Sequence, residues 1–140
     1  MKVLAIDFGE RRVGIAISDP DGRISMPLAT LDRRSDAQVI AELSEIVDNE
    51  LVEMIVVGEP RRLDGSLGDA AHRIGSFAEK LQRATGLPYL LVDESLTSRE
   101  AERRLREAGV DPRKQPGRVD AVAAQILLEE VLDRRFEQGS

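Results

Sequence analysis

The 140-residue chain is 41% apolar and 33% charged, a balance that suits one globular domain with one core and excludes a disordered polymer. It has no cysteine and a single histidine, His72, which excludes disulfides, thiolate zinc centres, cysteine nucleophiles and sites built from several histidines. No apolar run approaches the ~20 residues needed to cross a bilayer, so no membrane partner is expected and any chemistry must come from carboxylates, hydroxyls and arginines. Met1–Asp7 reads directly into a strand ending on a carboxylate, so a signal peptide is not expected and a cytoplasmic location is. The net charge of −6 opposes binding to phosphate polymers as a whole, but it is unevenly spread. Residues 32–53 carry seven acids and two arginines, whereas residues 97–118 carry seven bases and four acids. A local basic face is compatible with an acidic whole; the alternative is that both segments are simply solvated helix surface.

Taken in chain order, Lys2–Asp7, Val13–Ser18 and Ile24–Leu31 read as three short antiparallel strands. Asp19-Pro20-Asp21-Gly22 supplies turn chemistry, and Pro27 points to an edge strand, where a missing N–H does least harm. Ser35 with Gln38 forms a capping box ahead of Val39, Ile40, Leu43, Ile46 and Val47, which recur at helical spacing. Val52–Gly58 is a strand apolar on both faces, and Glu59–Gly68 a loop. A helix through Ala70, Ile74, Phe77 and Leu81 ends at Gly86-Leu87-Pro88, followed by a strand over Tyr89–Val92. Thr97 with Glu100 reads as a second capping box for a helix that stops at Gly109. The last helix follows the loop Val110–Gly117 and uses Val119, Val122, Ala123, Ile126 and Leu127, with His72 on the polar side of its own helix. The order βββ-α-β-α-β-α-α predicts an α/β domain over residues 1–136, with a mixed five-stranded sheet flanked by helices and a frayed tail at 137–140.

Three acids stand out against this pattern. Asp7 ends an apolar strand and shares a face with Val3 and Ala5; such a carboxylate is costly to desolvate unless something pairs with it. Glu94 follows the strand Tyr89–Val92, at a carboxyl end where ligands of such sheets gather. Asp120 lies in the first turn of the last helix, over the small residues Ala123 and Ala124. Each has a plain alternative: a pairing with a loop arginine or a turn cap for Asp7, and helix-start electrostatics for Glu94 and Asp120. If the three converge, their mutual repulsion calls for a hard divalent cation, Mg²⁺ or Mn²⁺, and such ions activate water for attack on a phosphodiester.

The same residues carry a family resemblance. The run from Val3 to Asp19, Val56-Val57-Gly58-Glu59-Pro60, Asp64-Gly65-Ser66, Val92-Asp93-Glu94-Ser95-Leu96-Thr97-Ser98 with Ala101, and Val119-Asp120-Ala121-Val122-Ala123-Ala124-Gln125-Ile126-Leu127-Leu128 occur in order over nearly the whole chain. Together they resemble the YqgF-type family, also called RuvX, to which Holliday junction resolution or pre-16S ribosomal RNA processing in bacteria is ascribed. The resemblance implies a ribonuclease-H-like fold, maps the catalytic and metal-binding acids onto Asp7, Glu94 and Asp120, and suggests cytoplasmic maturation of the 5′ end of 16S ribosomal RNA. Its partners would then be pre-rRNA or branched DNA, and ribosomal precursor particles. One departure is Ser95, where the family usually has arginine; Arg99 is the nearby cation that could compensate. The loop lysine often found near Gly9 is here the pair Arg11 and Arg12, which keeps the charge.

Further substrate contacts are expected from Arg11 and Arg12 near Asp7, from Gly58 and Ser66 at a helix start, and from the Arg113-Lys114 loop. The alternatives are a solvated hairpin turn, a connecting loop and a mobile loop respectively. An actin-like ATPase or kinase is disfavoured, because it needs two such domains with a cleft between them and one 140-residue domain does not supply both. A non-catalytic nucleic-acid-binding module of the same fold remains an alternative.

Overall fold

A computed structural model of the chain describes residues 1–9, 11–59, 68–93 and 97–139. Strands β1 (Val3–Phe8), β2 (Arg12–Ser18) and β3 (Ser25–Asp32) form an antiparallel meander. Helix α1 (Asp36–Glu50) leads to β4 (Met54–Glu59), and α2 (Asp69–Thr85) leads to β5 (Tyr89–Asp93). Helices α3 (Thr97–Glu107) and α4 (Pro116–Gly139) complete the chain. The sheet order is β3-β2-β1-β4-β5, with β4 parallel to β1 and β5 parallel to β4, as the element order predicts. Pro27 does lie on an edge strand, at the point where the β2–β3 register shifts.

Side-chain alternation divides the sheet into two working faces. Leu4, Ile6, Phe8, Ile15, Ile55 and Val57 pack against Val39, Leu43 and Val47 of α1 and Ile74, Phe77 and Leu81 of α2. Val3, Ala5, Ala16, Val56 and Val92 pack against Ala124, Leu127, Leu128, Val131 and Leu132 of α4. Small residues on this second face let α4 lie close to the strands. Helix α3 rests on the outer side of α4 through Ala101, Ala123 and Ile126, and Arg104 ties the two helices with a bidentate pair to Glu129 at 2.9 and 2.8 Å.

The ends of the elements follow local chemistry. Ser35 and Gln38 complete their capping box: the Ser35 hydroxyl accepts the Gln38 N–H at 3.1 Å, and the Gln38 side-chain oxygen accepts the Ser35 N–H at 3.3 Å. At the other predicted box, Thr97 is the first helical residue and is buried, while the Glu100 carboxylate takes Arg103 and Arg104. Strands β4 and β5 each run one residue further than the apolar runs suggest, onto Glu59 and Asp93. Helix α4 begins at Pro116, a favoured first residue because its missing N–H is not needed there. The helix continues to Gly139, past residue 136 where the sequence predicts order to end. Among the described residues no helix is long and apolar enough to cross a membrane.

The β2–β3 turn is organised by Asp19, whose carboxylate accepts the backbone N–H of Arg23 at 2.7 Å and of Ile24 at 2.8 Å. These bonds, from Ile24 first and then Arg23, hold the Asp19 carboxyl below its ordinary pKa. A carboxyl whose pKa is lowered on folding stabilises the fold above its unfolded pKa and loses that contribution as the pH falls through the lowered native value. The melting-temperature gap between the wild-type chain and Asp19→Ala is therefore expected to be full at neutral pH and to shrink on acidification below about pH 4. Thermal melts of both proteins between pH 7 and pH 2.5 measure it, and a gap that widens on acidification would contradict this account.

Candidate active site

Asp7 is half-buried on the α4 side of the sheet, sharing that face with Val3 and Ala5. Its antiparallel partner is Gly14, and Gly14 in turn pairs with Thr30. On the other side the last β1–β4 pair is Ile6 with Val57, so Gly58 stands next to Asp7, and Gly58 is paired with Val92. Asp7 thus lies between two positions without side chains, in the row Thr30–Gly14–Asp7–Gly58–Val92.

The N-terminal part of α4 is pressed onto this row; because the helix starts at Pro116, Asp120 falls just past its first turn, where the sequence analysis expects it within that turn. A Cβ added to Gly14 would stand 2.1 Å from the Asp120 carbonyl oxygen and 2.8 Å from the Ala121 nitrogen, so only glycine permits the approach. The Thr30 hydroxyl donates to the Gly117 carbonyl at 2.6 Å and fixes the helix start. Directly paired residues of antiparallel strands have Cα atoms about 4.5–5.5 Å apart and project to the same side. Asp7 and the backbone of Asp120, 113 positions apart, are therefore both neighbours of one glycine. Arg12, on the same face of β2 as Gly14, donates from Nε to Asp120 Oδ2 at 2.7 Å. Asp120 is thus ion-paired with the arginine that opens β2.

Two further acids end strands at the same edge, but on the opposite face. Glu59 shares parity with Ile55 and Val57, and Asp93 with Tyr89 and Leu91, all of which pack toward α1 and α2. Glu59 is only 7% exposed and is paired in register with Asp93. Among the described residues no group of three or more acids or histidines gathers as a metal centre. Glu94 and Ser66 lie outside the described residues. Of the three candidate ligands, Asp7 and Asp120 are described, and their carboxylates are oxygen donors of the kind a hard cation takes, with Arg12 as a counter-charge at Asp120.

The remaining predicted contacts separate clearly. Gly58 is buried beside Asp7. Arg11 and Arg99 are exposed. Arg113 is exposed and lines a cleft with Arg12 and Asp120, and Lys114 is exposed in the same loop. His72 is exposed, as its helix pattern predicts. The sequence pattern gave no sign of Arg33, whose guanidinium lies 4.3 Å over the Phe8 ring and donates to the Gly9 carbonyl at 3.3 Å. Its own N–H also donates to the Arg11 carbonyl at 2.8 Å, so Arg33 ties down the turn that follows Asp7. Its position just past β3 resembles any charged loop residue, and only the pairing of β2 with β3 brings it to that turn.

Comparison with known proteins agrees with this architecture. A family model described as "RuvX: Holliday junction resolvase" matches residues 1–134. A relative from Maridesulfovibrio salexigens is 46% identical over 134 residues, covering 96% of this chain and 99% of its own length. A relative from Syntrophus aciditrophicus is 42% identical over 136 residues, covering 95% of this chain and 89% of its own length. Both are named "Putative pre-16S rRNA nuclease". Among solved structures, Thermus thermophilus RuvC superposes with a TM-score of 0.62 at 15% identity, over 98% of this chain and 97% of that one. The fowlpox virus resolvase bound to Holliday junction DNA gives 0.57 at 8% identity, over 96% and 98%. At such identities the likeness concerns the fold, which is the ribonuclease-H-like fold that the sequence resemblance implies.

The contact at Gly14 is directly testable. Gly14→Ala is expected to destabilise the chain by about 2 kcal/mol or more, because the added methyl must displace the α4 backbone. Gly75→Ala in α2, where the methyl would meet nothing within 4 Å, is expected to stabilise it by about 0.5–1 kcal/mol. Urea denaturation of the two variants checks both signs.

Proposed function

The chain belongs to the RuvX family of nucleases, and from that premise we propose that it hydrolyses phosphodiester bonds with Mg²⁺ or Mn²⁺ held by Asp7, Glu94 and Asp120. Its proposed substrate is the 5′ end of pre-16S ribosomal RNA, in the cytoplasm and in the context of ribosomal precursor particles. The observation that carries the reading is that Gly14, the strand partner of Asp7, also receives the backbone of Asp120, which brings two acids far apart in sequence to neighbouring positions. The names of the relatives support the choice of RNA.

Bound by these acids, the divalent ion would supply the positive charge that polarises the phosphate and neutralises the departing oxygen. The chain's own residues supply the rest. Asp7 would offer its carboxylate oxygens to the ion from the α4 side of the sheet. Asp120 is fixed by the Gly14 contact and by Thr30, so its position is set before substrate arrives. Arg12 is placed to take a phosphate oxygen next to Asp120. In the net reaction the water oxygen bonds to phosphorus, the bond to the leaving sugar oxygen breaks, and that oxygen takes up a proton. Arg11, Arg99, Arg113, Lys114, Gly58 and Ser66 complete the proposed substrate contacts.

Branched DNA is the second reading, favoured by the description of the matching family model. The two are separated by incubating the chain with pre-16S RNA fragments and with a four-way DNA junction, with Mg²⁺, with Mn²⁺ and with EDTA. Cleavage is expected to require the metal and to fall at least about 100-fold in each of Asp7→Asn, Glu94→Gln and Asp120→Asn. Activity that survives all three substitutions would overturn the site assignment, and binding without cleavage of any substrate would favour a non-catalytic module.

A further inference from the structure

Beside Asp120 lies a cleft of about 260 Å³, walled by Arg12, Ser98, Glu102, Arg106, Pro112, Arg113, Pro116, Val119 and Asp120. Ser98, Glu102 and Arg106 recur every four residues, so they form one stripe along α3, about 12 Å long at 1.5 Å per residue. Facing them are Pro116, Val119 and Asp120 at the N-terminal end of α4. Arg12 and Asp120 close one end of the cleft and belong to the candidate active site. Arg106 and Arg113 stand further along it and also wall the neighbouring hollow of about 570 Å³ over the α3–α4 loop.

We propose that this cleft seats the sugar–phosphate backbone of the substrate strand next to the scissile bond, with Arg106 and Arg113 taking the flanking phosphates. The inference rests on the nuclease reading and adds to it a path for the strand. The cation partners are easily exchanged: Arg106 pairs with Glu102 at 3.6 Å and Arg113 with Asp111 at 3.4 Å, with both guanidinium side chains more than half exposed. Such solvent-screened pairs are weak, whereas a phosphate offers a guanidinium two parallel charge-assisted hydrogen bonds. Among the described residues, the groove along Pro27, Leu28, Ala29, Thr30, Gln115 and Ala121 has Arg118 as its one cation, a poorer match to a polyanion. The charge of the whole chain agrees with this placement. The acid-rich segment 32–53 includes α1, which packs on the opposite face of the sheet from α4, while the basic segment 97–118 builds the cleft. A polyanion is therefore steered to the α3–α4 side.

The test is equilibrium binding of labelled single-stranded RNA and of a four-way DNA junction, in Ca²⁺, across a series of salt concentrations. For the single strand, Arg106→Ala and Arg113→Ala are each expected to lower the slope of log K against log salt by about 0.7, and the double variant by about 1.4. Arg103→Ala removes the same charge from the same helix at a position paired with Glu100 and Glu107, away from the cleft, and is expected to leave the slope unchanged. Glu102→Gln removes a carboxylate from the cleft and is expected to tighten binding, a gain that misfolding cannot mimic. If the wild type binds while Arg106→Ala and Arg113→Ala keep its slope, the cleft is not the strand path and the nuclease reading stands. If the wild type binds neither nucleic acid, the nuclease reading fails and the cleft assignment falls with it. Loss seen with RNA alone, or with the junction alone, supports the cleft and identifies which polymer it accepts.

Discussion

The structure depends on one close approach, that of the α4 backbone at Asp120 and Ala121 to Gly14. A peptide carbonyl sits where any other residue would hold its Cβ. Close packing of this kind tolerates no added methyl, because the strand and the helix backbone are both fixed by their own hydrogen bonds. Thr30, one strand further out, secures the start of the same helix through the Gly117 carbonyl. Further along α4, Gln125 reaches the Ser25 carbonyl at 3.1 Å, so β3 holds the helix at a second point as well. The helix is thereby docked on the antiparallel half of the sheet, and its first acid arrives over Gly14, the strand partner of Asp7.

The second organising feature is the alternation of side chains at the carboxyl ends of the strands. It sends Asp7 to the α4 face and sends Glu59 and Asp93 to the α1–α2 face. Several acids at one edge of the sheet are thereby separated into two environments by a single layer of backbone. Facing one another on one side, they would repel strongly in a medium of low polarity. Instead Asp120 is balanced by Arg12, and the rest of the cationic surface is gathered on α3 and the loop after it.

The architecture was largely legible because it follows from local patterns. Turn residues at Asp19–Gly22, the Ser35–Gln38 capping box, Pro27 on an edge strand and the apolar runs of β4 and β5 each have a local cause, and each appears where that cause puts it. The exceptions are boundaries. Glu59 and Asp93 are polar residues inside strands, held there by backbone pairing with each other that a hydropathy pattern does not register. Thr97 is helical from the outset and buried, where composition alone suggests an exposed cap.

The sequence by itself determined the element order, the sheet's mixed polarity and the identity of Asp7 and Asp120 as acids placed against apolar segments. Those properties are set by side-chain period, turn chemistry and the cost of desolvating charge, all of which act over a few residues. Only the tertiary structure decided which residues meet. Gly14 looks like an ordinary strand glycine until α4 lies on it, Arg12 like a solvated turn residue until Asp120 reaches it, and Arg33 like a loop charge until it covers Phe8. Arg106 likewise belongs to a charged helix face until the α3–α4 loop folds back to make it the wall of a cleft. Contacts between residues 100 positions apart depend on strand pairing and helix docking, and no local pattern in the chain encodes them.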